Sequence, residues 1–163
     1  MLHAATDKIK TLLTWILSWA ALSLLLNLPW EIAQLPLYAI WEDESAARIT
    51  YAVLHCTAGD ALIATASYLL TGAVCRDSDW VSSMPWRGGA LATSFGLAYT
   101  LYSEWHNVYQ AGAWAYSPAM PLVFGIGLSP LLQWLVIPLA TLVILRAYAG
   151  MSRRRKNNSS NPM

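Results

Sequence analysis

Five ionisable side chains, Glu31, His55, Asp60, Glu104 and His106, sit inside or at the edge of otherwise apolar stretches. A carboxylic acid kept neutral by burial can give a proton, and a second carboxylate or an imidazole can take one. Acid/base chemistry is therefore what these residue types would support. Asp60 and Glu104 form the natural acid/base pair, with His55 as a partner and Glu31 as a further carboxylate, so these four make the candidate catalytic set. Asn107, Gln133, Trp30, Asn27, Ser103 and His106 make a candidate substrate-binding set, because amides, a hydroxyl and an indole can orient a ligand by hydrogen bonds. A mixed nitrogen and oxygen site for Zn, Mn or Fe would draw on the same acids and His55. The chain has no His-Glu-x-x-His and no Glu-x-x-His pair, so no metal ligands are assigned.

These residues need elements to hold them. In 163 residues the composition is 56% hydrophobic and 12% charged, about half the charge of an ordinary soluble domain. Glu31 is the only charge between Thr11 and Trp41, and Asp60 the only one between Ile49 and Cys75. A hydrocarbon core of about 30 Å needs roughly 20 helical residues. Four stretches qualify: Thr11–Trp30, Ile49–Gly72, Gly88–Tyr109 and Pro121–Leu145. The predicted fold is all-α, a polytopic membrane protein with four transmembrane helices over residues 1–150. A basic tail, 151–163, is read as disordered. Lys8 and Lys10 precede the first apolar run, as in a signal peptide, but that run is long and lacks a small-x-small cleavage site, so it is read as an uncleaved span.

Basic residues set the orientation. Lys8, Lys10, Arg76, Arg87, Arg146 and Arg153–Lys156 all fall on one side of such a topology, and Arg48 alone does not. By the positive-inside rule both termini are cytoplasmic, which suits a bacterial inner membrane. Polar groups of all four spans then share the outer half. His55 falls roughly 9 Å and Asp60 roughly 16 Å below the outer boundary, with Ser129 about 12 Å and Gln133 about 18 Å deep if their helix starts at Pro121.

Helical facing refines the set. Asn27, Glu31 and Gln34 align if the helix survives Pro29. Thr100, Ser103, Glu104 and Asn107 form one stripe, and His106 lies nearly opposite with Tyr99 and Tyr102, so Glu104 is placed inward. Ala52, Gly59 and Ala66 make a small-residue stripe suited to close helix packing. Pro29 and Pro36 predict that the chain from Glu31 to Trp41 bends and lies along the outer interface. Trp41, Tyr51, Trp80, Trp86, Tyr109, Trp114, Tyr116 and Tyr148 fall at boundaries, where an aromatic belt explains them. Trp30, Tyr99, Tyr102, Trp105 and Trp134 are nearer the polar cluster and could line a cavity. Cys56 and Cys75, roughly 28 Å apart along one helix, cannot pair.

The strings Leu28-Pro29-Trp30-Glu31-Ile32-Ala33-Gln34-Leu35-Pro36-Leu37-Tyr38, His55-Cys56-Thr57-Ala58-Gly59-Asp60 and Ser103-Glu104-Trp105-His106-Asn107, with Trp114-Ala115-Tyr116-Ser117-Pro118, resemble a group of small four-span bacterial inner-membrane proteins. That resemblance covers most of the chain and implies the architecture and location but no activity. A lesser likeness is to membrane carotenoid cyclases and hydratases, through Glu104 followed by Gly112-Ala113-Trp114-Ala115-Tyr116. The paired-acid motif of the cyclases is missing. Four-span sterol isomerases share the architecture and the blend of acids, His and Trp, without motifs that align. No catalytic residue carries over from either.

Three functions follow as expectations. The first is a membrane enzyme using acid/base chemistry on a lipophilic substrate, an isoprenoid or a lipid headgroup. The second is a non-catalytic membrane subunit or assembly factor, whose partner is a homo-oligomer or a membrane complex. The third is a metal- or ion-handling protein. The bilayer is a partner in all three, and no cofactor is identified. Nucleotide, nucleic-acid and soluble hydrolase roles are disfavoured: there is no Gly-rich phosphate loop and no Gly-x-Ser-x-Gly elbow, and the basic residues are topogenic.

Overall fold

The computed structural model describes residues 2–159, with side chains described for residue 6 and residues 9–151. It is 82% helical, which makes the fold all-α despite one short hairpin. Four long helices carry it: α1 (Leu2–Gln34), α3 (Ala46–Cys75), α5 (Pro85–Trp105) and α6 (Leu128–Ser159). Between them lie a 3₁₀ turn (Leu35–Leu37), α2 (Ile40–Asp43), α4 (Trp80–Ser83), a π-helical segment (His106–Gln110) and the antiparallel hairpin β1 (Leu122–Val123) and β2 (Ile126–Gly127). α1 packs on α3 and α6, and α5 packs on the same two, so the four form a closed ring. Its upper end carries the α1–α3 and α5–α6 connections, and α4 lies at the lower end.

Three segments are long and apolar enough to cross a membrane: Ile9–Leu37, Ala46–Cys75 and Leu128–Met151. α5 has the length, about 30 Å at 1.5 Å per residue, but its glycines, hydroxyls and Glu104 keep its hydropathy below the others. Burial is inverted relative to a water-soluble bundle. Leu17, Leu25, Leu62 and Val74 are more than half exposed, while Ser23, Asn27, Thr71, Gln133 and Thr141 are buried. An exterior this apolar suits hydrocarbon rather than water. The chain is read accordingly as a membrane protein.

The lower half is closed by aromatic packing. The rings of Trp19, Tyr68 and Trp80 meet at centroid distances of 5.1–5.6 Å. Their polar ends are satisfied on backbone: Trp19 Nε1 donates to Ala64 O, Trp80 Nε1 to Tyr68 O, and Tyr68 Oη to Ser78 O. Trp80, read from sequence as part of an interfacial belt, is instead fully buried, because α4 folds back under the bundle. Glycines of α5 admit these rings. A methyl on Gly96 would sit inside the Trp134 ring and one on Gly88 inside Trp80.

Several expectations are corrected. The small-residue stripe Ala52, Gly59, Ala66 is not a packing seam. Ala66 is exposed, and a Cβ on Gly59 would meet nothing within 4 Å. α1 passes through Pro29 unbroken, so the bend comes at Leu35–Leu37 around Pro36 and not at Glu31. Pro121 to Gly127 is not helix: the hairpin replaces it, and Phe124 and Gly125 take positive φ at its tip. Gln133 therefore lies about 7 Å into its helix rather than 18 Å. The basic tail continues α6 as helix to Ser159, since arginine and lysine propagate a helix already nucleated by a span. The rest of that tail, 160–163, lies outside the described residues.

Candidate functional site

The site begins with a donor that cannot reverse. Trp30 Nε1 can only donate, and it donates to Ser129 Oγ at 3.3 Å. Ser129 Oγ passes its own proton to Gln34 Oε1 at 2.8 Å. The Gln34 amide is thereby fixed, with Nε2 donating to Glu31 Oε1 at 2.8 Å and to Gln133 Oε1 at 3.3 Å. Gln133 is fixed in turn. Its Nε2 lies 2.8 Å from Asn27 Oδ1, 2.8 Å from Glu31 Oε1 and 3.0 Å from Asp60 Oδ2. Asn27 Nδ2 is spent on Ser23 O at 2.8 Å, which keeps its oxygen turned towards Gln133. The relay thus runs in one direction through α1 and α6 and ends on Glu31 of α1 and Asp60 of α3.

The spacing Asn27, Glu31, Gln34 puts three of these groups on one face of α1, as three- and four-residue steps require. All three are buried. The Gln34 and Gln133 amide nitrogens carry two protons each, and the oxygens they face are Glu31 Oε1, Gln133 Oε1, Asn27 Oδ1 and Asp60 Oδ2, so each of these oxygens has a donor.

Glu104 forms a separate centre. It is 6% exposed, on the inward face of α5. Tyr116 Oη donates to Glu104 Oε2 at 2.6 Å, and Tyr38 Oη lies 3.4 Å from Oε1. Tyr116 is held by the Gly127 N–H, which donates to its hydroxyl at 3.0 Å. The two segments carrying these tyrosines are pinned to one another. Ala39 N donates to Ala115 O, Ser117 N to Leu37 O, and Ser117 Oγ to Pro36 O, all at 2.9–3.0 Å. Together they roof the site. Burial pushes the Tyr38 phenol well above its ordinary value, and nearby Glu104 adds to the effect. Burial does the same to Tyr116, joined by its hydrogen bond to Glu104 and opposed by the Gly127 N–H. Both phenols stay protonated donors at physiological pH.

The two centres open on one cavity of about 530 Å³, lined by all four long helices. Glu31, Asp60, Glu104, Gln133, Ser103, Asn107 and His55 line it. Asn27 backs Gln133 from outside the lining, and Trp30 acts through Ser129. Asn107 Nδ2 bonds within its own helix, to Ser103 O and Oγ. His55 is exposed at the rim, stacked on Tyr51 at 5.6 Å, and no hydrogen bond joins it to a carboxylate among the described residues. The expectation that it partners Asp60 is therefore not met. His106, taken as a substrate-binding residue, is also displaced: it is exposed, stacked on Tyr102 at 5.7 Å, and away from the cavity. Two residues from Glu104 on a helix, it must point elsewhere. Of the aromatic candidates, Tyr99 and Trp134 line the cavity, while Trp30, Tyr102 and Trp105 do not.

The sequence reading missed Tyr38 and gave Tyr116 and Trp114 to the aromatic belt. Tyr116 binds Glu104, and Trp114 lines the cavity with its Nε1 buried on the Glu104 side. The signal was faint. Both lie in an uncharged connection whose return over the bundle no periodicity reveals. Among the described residues no group of three His, Cys, Asp or Glu side chains is placed to hold a metal ion. No family model, curated protein or solved structure matches the chain. The helical fold with three apolar helices long enough to span, and the geometry of this cavity, are what bear on its role.

Proposed function

We propose that the chain is a four-span protein of the bacterial inner membrane, with both termini cytoplasmic, that performs acid/base chemistry on a lipophilic substrate in the outer half of the bilayer. α5 is the fourth crossing: it has a span's length and packs between α3 and α6. The observation that carries the functional reading is the convergence of Glu31, Asp60 and Glu104 on one cavity, with two different sets of neighbours.

Glu31 and Asp60 meet at the Gln133 amide, and two carboxylates brought so close retain a proton between them. This pair gives the proton. Glu104 is the acceptor, its carboxylate oriented by the two phenol hydroxyls that face it. Tyr99, Trp114 and Trp134 present aromatic walls suited to a lipophile or to positive charge developing on it. The aromatic floor closes the cavity from below, which supports a site entered from one side rather than a path through the bundle.

The test is the cargo of the purified protein, read by lipid mass spectrometry and elemental analysis for wild type, Asp60→Asn and Glu104→Gln. A specific isoprenoid or lipid, retained or accumulated unprocessed in the variants, is the expected result. A stoichiometric metal lost in both variants would replace this reading with a metal site. No cargo, with variants that are merely less stable, would leave a non-catalytic subunit.

A further inference from the structure

The cavity has a roof and a floor, and its walls are unequal. Above, the segments around Leu37 and Ala115 are bonded to one another and Tyr116 is tied to Glu104. Below, Trp134 belongs both to the cavity lining and to the aromatic core. The remaining side lies between α3 and α5. On α3 the lining runs from Arg48 to Ile63, a height of about 22 Å by helical rise. Facing it, the lining on α5 and the π-helical segment after it runs from Tyr99 to Asn107, about 12 Å.

The residues bordering this gap are unpacked. Tyr51 is 64% and Tyr99 50% exposed. Gly59, towards the lower end of the α3 edge, has 4 Å of open space where a side chain would begin. The cavity's lining residues on α1 and α6, Glu31, Gln34, Pro130, Gln133 and Trp134, are by contrast all buried, so the opening lies on the α3 and α5 side. In a helix that crosses a bilayer, such a slit faces hydrocarbon.

We infer that the slit between α3 and α5 is a lateral portal through which a membrane lipophile enters from the outer leaflet, its chain lying along Ala52, Gly59 and Ile63 and its small hydrogen-bonding head reaching the carboxylates. The occupant is a bilayer-borne molecule and not a solute from the aqueous phase, because the slit is continuous with the polar cavity and the aqueous end is roofed. Gly59 and Ala52 set the width of the portal. The inference rests on the proposed reading of the cavity as a lipophile site and adds the route and the class of ligand.

The experiment reconstitutes the full chain in lipid nanodiscs with a long-chain alcohol carrying a diazirine near its chain midpoint, and maps the photo-crosslinks. Labelling is expected on Ala52–Ile63 of α3 and around Tyr99 of α5. Gly59→Phe should lower it at least about tenfold with an unchanged melting temperature, while Gly59→Ala should retain it. Labelling spread evenly over the lipid-facing helices, or unchanged in Gly59→Phe, overturns the portal. A portal confined to the slit, in a protein that carries no specific lipid as wild type, Asp60→Asn or Glu104→Gln, would sink the acid/base reading and keep the portal.

Discussion

At the scale of single residues, the site works through the direction of its hydrogen bonds. Trp30 can only donate, and the bonds beyond it, Ser129 to Gln34, Gln34 to Gln133 and Gln133 onwards, run in the same direction until the chain ends on Glu31 and Asp60. The tyrosines obey a different logic. Tyr38 and Tyr116 hold their protons more tightly in the folded protein than in the unfolded chain, through burial first and Glu104 second. A raised acid of this kind contributes its full stability below its unfolded value of about 10 and loses it as pH rises beyond that. Melting measured from pH 8 to 11 should be flat and then fall. For Tyr38 the loss should approach at most about 1.4 kcal/mol per pH unit. Tyr38→Phe should flatten the fall, and Tyr116, being more open to solvent, should matter less. A melting curve that falls equally in Tyr38→Phe would remove the phenol from this account.

At the scale of elements, the same substitution should change sign with its neighbours. On α5 a methyl at Gly96 would overlap the Trp134 ring, so Gly96→Ala should destabilise by about 1–3 kcal/mol, the usual cost of overpacking. On α3 a methyl at Gly59 enters open space, so Gly59→Ala should stabilise by about 0.5–1 kcal/mol through helix propensity alone. Unfolding in mixed detergent would measure both, and equal effects at the two sites would contradict the packing described. Both glycines read alike along the chain as small residues in apolar helices. Whether a ring or a gap lies opposite depends on the partner helix, which local spacing does not encode.

At the scale of the molecule, four helices enclose a polar interior behind an apolar exterior, and the proposed orientation follows the charge pattern. The proposal that α5 spans with α1, α3 and α6 is testable by reporter fusions. A fluorescent protein fused after Met163 should be bright and a phosphatase there inactive. Fusions truncated after Gly112 should show the reverse, each by an order of magnitude. Matching signals at both points would mean that α5 does not cross. The depth argument made from sequence depends on this topology, because it is what brings Asn27, Asp60, Glu104 and Gln133 to a common level.

The sequence by itself determined the apolar stretches, the faces that Asn27, Glu31 and Gln34 share, and the inward placement of Glu104. These follow from composition and from the 3.6-residue period, which act within a few residues. Only the tertiary structure decided how the polar groups divide. Gln133 bonds Asn27 across 106 positions, and Tyr38 meets Glu104 across 66. Contacts at such separation depend on which helices pack together and how the connections fold back. That is why Glu31 and Asp60 meet through one amide, Glu104 stands apart under two tyrosines, and His55 and His106, equally plausible along the chain, are left at the rim or outside.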